Sequence, residues 1–181
     1  MKNKVILSFI SSLFFAQVAF SQGQGSITAG GGLLFGSKIE SLGLGANGQY
    51  FITDNLAGQV GLNFFFPKKE SISVVEVKSS VWTINLNANY YFDIANETIR
   101  PYALGGINIS NATVKTSSDF DGLGEEFGFE RSVSDTDFGI NLGGGADFYV
   151  SEMIIPFAQM KYVISDFDQL VIMGGVRINI N

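Results

Sequence analysis

The stretch VWTINLNANYYF, residues 81–92, alternates apolar and polar side chains almost without interruption. Successive side chains of an extended strand point to opposite faces, so Trp82 and Leu86 share one face while Asn85 and Asn87 share the other. A water-soluble barrel buries its apolar face, and a membrane barrel turns that face toward lipid. The fold therefore depends on which of the two faces meets water.

The composition restricts the chemistry available to the chain. Its 181 residues suffice for one domain, and the net charge of −6 argues against nucleic acid as a partner. The chain contains no cysteine and no histidine. Disulfides, thiol catalysis, cysteine-bound zinc and histidine acid–base chemistry are thereby excluded.

The N-terminus has the pattern of a secretory signal peptide. Lys2 and Lys4 precede an apolar run, residues 5–20, and small residues at Ala19 and Ser21 provide a cleavage site. The run is shorter than the roughly 20 residues that a membrane-spanning helix needs. We therefore predict a signal peptide at residues 1–21 and a single exported domain at residues 22–181.

Beyond this region the sequence shows a two-residue period and almost no helical period. Eight segments share this pattern, and most have the roughly 9–11 residues of a tilted strand that crosses a bilayer. They are 26–35, 42–51, 56–66, 81–92, 101–110, 137–149, 154–165 and 170–181. We predict an all-β fold, an eight-stranded antiparallel up-and-down transmembrane β-barrel.

The connections between these segments differ at the two ends of the predicted barrel. Residues 52–55, 93–100 and 150–153 form short connections, whereas 67–80 and 111–134 are long. Outer-membrane barrels show the same asymmetry, with short periplasmic turns and longer extracellular loops. We expect the two long connections to be extracellular loops.

The two faces of the segments differ in polarity in the way that a lipid-facing exterior requires. The more apolar face carries no charged residue, and a charge at mid-bilayer costs roughly 2–4 kcal/mol. The opposite face carries uncharged polar side chains and glycine where a solvated exterior would normally carry Lys, Glu and Arg. Its polar members include Thr28, Asn47, Gln49, Gln59, Asn63, Thr83, Asn85, Asn87, Asn89, Asn108, Asn141 and Gln159. We predict that this second face lines the lumen.

Four charged residues share the lumen face: Asp137, Asp147, Lys161 and Arg177. Asp147 and Arg177 both lie toward the short-turn end of their strands, so we expect them to pair across the narrow interior.

Aromatic residues concentrate near the ends of the predicted strands, as in the girdles at the two membrane interfaces. They are Phe35, Tyr50, Phe51, Phe64, Phe65, Phe66, Trp82, Tyr90, Tyr91, Phe92, Phe148 and Tyr149.

The segments YFITDNLAGQVGL (50–62), RPYALGGINIS (100–110) and GGVRININ (174–181) resemble the small outer-membrane β-barrel family of the OmpA/OmpX-like, eight-stranded type. This resemblance to the outer membrane protein beta-barrel domain implies a porin-like architecture in the cell envelope, in the outer membrane of a Gram-negative bacterium. It also implies contact with outer-membrane lipid and lipopolysaccharide, and insertion by the barrel-assembly machinery.

The sequence gives no support for an enzyme. Asp137 and Asp147 lie ten residues apart on one predicted strand, roughly 33 Å at the usual strand rise, so they cannot act as a catalytic pair. We expect no catalytic residues and no cofactor.

The stretch DFDGLGEEFGFE, 119–130, is the most distinctive connection. Asp119, Asp121, Glu125 and Glu126 offer oxygen ligands for Ca²⁺, but they lack the spacing of an EF-hand loop. We favour a solvated, mobile loop over a metal site. Its aromatics, Phe120, Phe127 and Phe129, suggest either packing on the barrel mouth or an adhesive patch.

We expect a structural or interaction protein that meets an extracellular partner through 67–80 and 111–134. Two alternatives remain open at this point: a narrow transport barrel for small solutes, and a secreted lipocalin-like binder of hydrophobic ligands.

Overall fold

The computed structural model describes residues 23–72, 75–94, 98–118 and 130–180. These residues form eight strands, and no helix among them is long and apolar enough to cross a membrane. The strands are β1 (Ile27–Gly36), β2 (Ser41–Phe51), β3 (Leu56–Ile72), β4 (Val75–Tyr91), β5 (Ile99–Ser118), β6 (Glu130–Phe148), β7 (Ile154–Ile164) and β8 (Gln169–Asn179).

The strands form one closed antiparallel barrel in which each strand pairs with its neighbours in the sequence and β1 pairs with β8. Thr28 lies opposite Asn179 and Leu34 opposite Met173 in the closing ladder. Closure leaves no sheet edge, so the backbone groups are satisfied within the barrel, as a bilayer requires. The predicted fold class is confirmed.

We distinguish the two ends of the barrel by their connections. The turn end carries the short connections 52–55, 92–98 and 149–153, together with the start of β1 and the end of β8. The hairpin end carries the connections 37–40 and 165–168 and the extended β3–β4 and β5–β6 hairpins.

The exterior is apolar, as the sequence predicted. Phe138 is 71% exposed, Ile140 54% and Leu86 46%, although all three are large and apolar. By contrast, Asn85 is 2% exposed and Asn141 is fully buried inside the barrel. This inverts the arrangement of a water-soluble barrel, so the lipocalin-like alternative is wrong.

The aromatic residues near the strand ends separate into two groups. Trp82 and Phe64 face outward near the hairpin end, and Tyr50, Tyr90 and Phe92 do so near the turn end, as interfacial girdles require. The remaining case is a correction: Phe51, Phe65 and Tyr91, which we assigned to the girdle, lie buried inside the barrel. The reason is the alternation itself, because each follows an outward-facing neighbour and so points the other way.

The two long connections are also corrected. Residues 67–80 and 111–134, expected as loops, are largely strand, because β3 continues to Ile72, β4 begins at Val75, and β5 and β6 extend to 118 and from 130. The ladder continues because cross-strand pairing satisfies backbone groups that project past the membrane, and valines such as Val114, opposite Val133, favour an extended chain.

Candidate functional site

The candidate site is the lumen, which is filled by three successive layers of side chains. The layer nearest the turn end is charged and aromatic, the middle layer consists of amides, and the layer toward the hairpin end is apolar. Each layer follows from the inward parity of the strands that supply it.

Arg177 on β8 organises the turn-end layer. It is completely buried, and its Nη1 donates to Oδ1 of Asp147 on β6. Its Nε donates to Asn47 Oδ1 at 3.0 Å, and its Nη2 donates to the Tyr102 hydroxyl at 3.3 Å. The guanidinium also lies 3.9 Å from the ring centroid of Phe157. Three hydrogen bonds and an aromatic face thus compensate for the burial of this charge.

The other oxygen of Asp147 is also engaged. The Tyr91 hydroxyl lies 3.0 Å from Asp147 Oδ2 and 3.0 Å from Gln49 Oε1. The phenol has one hydrogen, and we assign it to the carboxylate because charge-assisted hydrogen bonds are the stronger ones. Asp147 therefore interacts with a cation through one oxygen and a hydroxyl donor through the other.

Stacked aromatic rings complete this layer. The Tyr91 centroid lies 5.2 Å from that of Phe51 and 4.9 Å from that of Tyr102. At the turn end Arg100 covers the Tyr91 ring at 5.1 Å and bonds to the carbonyl oxygen of Asp54. Together these groups close the cross-section of the barrel at the turn end.

Glycine makes room for the large side chains of this layer. Gly30 lies opposite Arg177 in the closing ladder, and a Cβ there would lie 2.6 Å from Arg177 Cγ. Gly145 lies opposite Tyr102, and a Cβ there would lie 2.6 Å from Tyr102 Cζ. Real Cβ contacts are never this short, so the glycines are required by close approach.

The middle layer is a connected amide network centred on Asn85. Its Oδ1 accepts from Asn108 Nδ2 at 2.8 Å, from Asn141 Nδ2 at 3.1 Å, and from the Lys161 ammonium. Asn141 also donates to Asn87 Oδ1 at 2.7 Å. The network links four strands across the interior, so it both fills the bore and ties the wall together.

Lys161 is the unusual member of the middle layer. It is 3% exposed, and among the described side chains its ammonium has the Asn85 oxygen as its hydrogen-bond partner and no carboxylate. A cavity of about 20 Å³ lies beside it, lined by amides including Asn47, Gln59 and Asn63. That volume is enough for a water molecule and too small for an organic solute.

The layer toward the hairpin end is an apolar core inside the barrel. Its members are Leu34, Phe65, Val81, Val163, Val171 and Met173, and the cluster continues to Phe157, whose ring faces Arg177. The sequence predicts a polar lumen throughout, so this apolar layer is a difference between expectation and structure. These side chains point inward by the alternation of their strands. The polar character of that face gave no indication that apolar residues on it would pack together inside the lumen.

The structure places the four predicted lumen charges at three levels. Asp147 and Arg177 meet at the turn end, Lys161 lies in the middle layer, and Asp137 is half-buried near the hairpin end. Asp137 Oδ2 accepts from the backbone N–H of Phe167 at 3.3 Å.

The predicted loop residues lie outside the described residues. They are Asp119, Asp121, Glu125 and Glu126 of the candidate Ca²⁺ loop and the aromatics Phe120, Phe127 and Phe129. The signal peptide at 1–21 is likewise outside. Within the described ranges, no three acidic side chains lie close enough together to hold a metal ion.

Tyr91 and Tyr102 are lumen residues that were not predicted from the sequence. Tyr91 shares the parity of Asn85, Asn87 and Asn89 in the segment 81–92, which was a usable signal. Gly145 lies opposite Tyr102 and leaves room for its ring, but this pairing can be inferred only once the register between β5 and β6 is known.

A closed eight-stranded barrel with an apolar exterior and a lumen packed with side chains defines an integral outer-membrane protein. The chain matches the model of the outer membrane protein beta-barrel domain over residues 7–167 and belongs to that family. Its location is the Gram-negative outer membrane, among its lipids and lipopolysaccharide. Comparison with curated protein sequences gives no significant match.

Solved structures share the fold at low sequence identity. The N-terminal β-barrel domain of OprF from Pseudomonas aeruginosa is 18% identical, with a TM-score of 0.58 over 87% of this chain and 99% of that one. Ail, the attachment invasion locus protein of Yersinia pestis, is 14% identical, with a TM-score of 0.57 over 88% and 99%. OprG from Pseudomonas aeruginosa is 15% identical, with a TM-score of 0.56 over 88% and 97%.

Proposed function

We propose that this protein is a non-conducting outer-membrane barrel of structural and interaction type, which presents its extended hairpins at the cell surface. The observation that carries the proposal is the filled lumen. The Arg177–Asp147 pair with its aromatic neighbours, the amide network and the apolar core lie one behind another along the bore. Eight strands give an interior just wide enough for side chains to fill.

The rival function is transport of a small solute through the lumen. A solute would have to pass the fully buried Arg177 and Tyr91 and then disrupt the hydrogen bonds of Asn85 and Asn141. Leaving such groups unpaired costs about 1–3 kcal/mol each, and more where a charge is involved. The cavity of about 20 Å³ in the middle layer offers no route past them.

The proposal includes no catalytic activity. Asp147 is occupied by Arg177 and Tyr91, and Asp137 lies ten residues away on β6. Neither carboxylate is placed to share a substrate with the other, which a two-carboxylate mechanism requires.

The hairpin end is the surface that a partner would meet. Ail, which shares the fold, has been crystallised with the heparin analogue sucrose octasulfate, so a barrel of this type can bind an external ligand. This chain has a net charge of −6, and Coulomb repulsion disfavours a sulfated polyanion here. We therefore propose interaction through the β3–β4 and β5–β6 hairpins with a partner that is not polyanionic.

Conductance measurement tests the plugged barrel. The purified protein, reconstituted in a planar bilayer, should give no steady ion current under conditions in which a general porin conducts. A reproducible unitary current that is lost when the protein is omitted would favour transport instead.

Cysteine labelling tests the exposure of the hairpins. The chain has no cysteine, so Ser132→Cys on β6 and Glu152→Cys in a short turn each create a single thiol. A polyethylene-glycol maleimide too large for porins should label Ser132→Cys on intact cells. It should label Glu152→Cys only after the outer membrane is permeabilised, and the reverse pattern would contradict the proposed orientation.

A further inference from the structure

A cavity of about 350 Å³ lies at the hairpin end of the barrel, above the apolar core. Its lining comes from strands β4, β5, β6 and β8 and from the connections 37–40 and 165–168. Its volume lies at the lower end of the range typical of small-molecule sites, roughly 300–1,000 Å³. The cavity is more than ten times larger than the one in the middle layer. We call it the mouth cavity.

The mouth cavity has an apolar wall. Val81 belongs to the apolar core, and Ile39 and Ala112 pack against that core. Val114 and Phe167 continue the apolar lining toward solvent. A ligand for this cavity therefore needs an apolar body, because burying it there removes apolar surface from water on both sides.

Two carboxylates and an unpartnered amide give the cavity its polarity. Asp135 and Asp137 lie two residues apart on β6, and both line the cavity. Gln169, 3% exposed, also lines it, and among the described residues its Oε1 has no hydrogen-bond partner. A buried acceptor without a donor is costly, so a ligand that donates a hydrogen bond to Gln169 would relieve that cost.

A lysine of the lining shows that a cation fits against this wall. The Lys38 ammonium lies 5.7 Å from the centroid of the Phe167 ring, within the range of a cation–π interaction. Lys38 is exposed and lies at the rim, so its ammonium is a local model of the group that the cavity attracts.

We propose that the mouth cavity binds a small primary amine with an apolar body, an aralkylamine or a short alkylamine. The ammonium lies between Asp135 and Asp137, donates to the free acceptor of Gln169, and takes the place of Lys38 at the Phe167 ring. The apolar body packs against Ile39, Val81 and Ala112. This goes beyond the proposed function, because it names a ligand class for a cavity that lies above the apolar core of the filled lumen.

Titration with a matched set of probes tests this assignment. The folded protein in an uncharged detergent is titrated with 2-phenylethylamine, 2-phenylethanol and 3-phenylpropionate at neutral pH, and the backbone amide NMR signals of Asp135, Phe167 and Gln169 are followed. We expect saturable shifts with the amine only. Equal binding of the alcohol would reduce the site to an apolar cleft, and preferential binding of the carboxylate would overturn the proposal, as would no saturable binding at all.

Three variants test the roles of the named groups. Asp135→Asn/Asp137→Asn keeps the shape of both side chains and removes their charge, so affinity for the amine should fall about tenfold or more, as loss of charged hydrogen-bond partners does. Asp166→Asn, a matched exposed carboxylate outside the cavity, should leave the affinity unchanged. Lys38→Met removes the competing cation and should tighten binding.

Opposite signs for the Asp135→Asn/Asp137→Asn and Lys38→Met variants are required, since equal weakening by both would indicate mere loss of structure. Heat-modifiable migration on a denaturing gel verifies that each variant is folded. Conductance of the same preparations separates the two proposals: absence of amine binding with no current refutes only the mouth site, and a steady current refutes only the plug.

Discussion

Arg177 on β8 and Asp147 on β6 form an ion pair across the lumen, although β7 lies between their strands in the barrel wall. Both side chains are buried. Arg177 also donates hydrogen bonds to Asn47 and Tyr102, and Asp147 accepts one from Tyr91. The pair thus acts as a strut that connects parts of the wall that are not adjacent in the ladder.

Removing one partner of this strut should be strongly destabilising. Arg177→Met leaves the Asp147 carboxylate buried beside Tyr91 alone, and we expect a loss of about 3–5 kcal/mol in the free energy of unfolding. The pair of half-buried Arg100 and exposed Asp93 is the comparison, and Asp93→Asn should cost less than about 1 kcal/mol. Urea unfolding in lipid vesicles, followed by gel migration, measures both. Equal effects would show that burial of the strut contributes little.

The double variant Arg177→Met/Asp147→Asn sharpens this test. It removes both charges and leaves no unpaired ion, so it should be more stable than Arg177→Met alone. If the two single effects simply add, the two side chains are not energetically coupled.

The glycine opposite Arg177 gives a second prediction. Gly30→Ala would place a Cβ 2.9 Å from Arg177 Cα, which is backbone and cannot move aside easily. We expect a loss of about 1–3 kcal/mol from overpacking. Gly105→Ala is the control, since nothing lies within 4 Å of a Cβ there. A Gly30→Ala variant as stable as Gly105→Ala would mean that the seam between β1 and β8 tolerates a methyl group.

The buried ammonium in the middle layer gives a third prediction. Lys161→Met replaces the cation by an apolar chain of similar length, and Asn85 Oδ1 still accepts from Asn108 and Asn141. Because an isolated buried charge is costly, the variant should be as stable as the wild type or more stable, by up to about 3 kcal/mol. Lys115→Met, at an exposed position, is the control and should change stability little. A marked loss with Lys161→Met would show that the ammonium has an anionic partner in the lumen.

Alkaline unfolding gives a fourth prediction, through Tyr149 in the connection after β6. Burial, and next the charge of Asp147, raises the pKa of the Tyr149 phenol to about 12, above its ordinary 10.0. The folded protein then holds this proton more tightly than the unfolded chain, so stability is unaffected below pH 10 and falls as the pH rises toward 12. The contribution of Tyr149 is roughly 2–3 kcal/mol from that shift. Tyr149→Phe should flatten the decline, and an identical decline in wild type and variant would contradict it.

The inversion of the two faces can be tested with spin labels. Single labels at Leu86→Cys and Ile140→Cys should be accessible to oxygen dissolved in lipid, because these positions face outward. A label at Asn85→Cys should be shielded from lipid-dissolved oxygen. If Leu86 proved shielded and Asn85 reached bulk water, the barrel would be water-soluble in type.

The sequence predicted those features that depend on local alternation. Leu86 outward and Asn85 inward follow directly from the parity of one strand, as does the burial of Gln49 and Asn141. Parity also locates Asp147 and Arg177 at one end of the lumen, but their contact depends on how far β6 and β8 are shifted relative to each other. That shift becomes known only when the barrel is closed.

Two other features could not be predicted from the sequence, because the alternation of apolar and polar residues carries no information about them. Past the membrane both faces of a strand are polar or mixed, so alternation no longer marks where β3 ends and β4 begins. Inside the barrel, Phe65 lies opposite Val81 in the β3–β4 ladder and both belong to the apolar core, although a polar lumen was expected. A filled bore near the hairpin end requires volume rather than polarity, and periodicity does not report volume.

The closing ladder between β1 and β8 has a further consequence. The Ile180 N–H donates to the Ile27 carbonyl at 2.9 Å, so the first and last strands meet at the turn end as closely as any neighbours joined by a short connection. The barrel wall is a closed ring of paired strands, and β1 and β8 are the neighbouring pair in it that no short connection joins. A short peptide joining these strands, with new termini cut into another turn, should yield a circular permutant with the same register and the same strut.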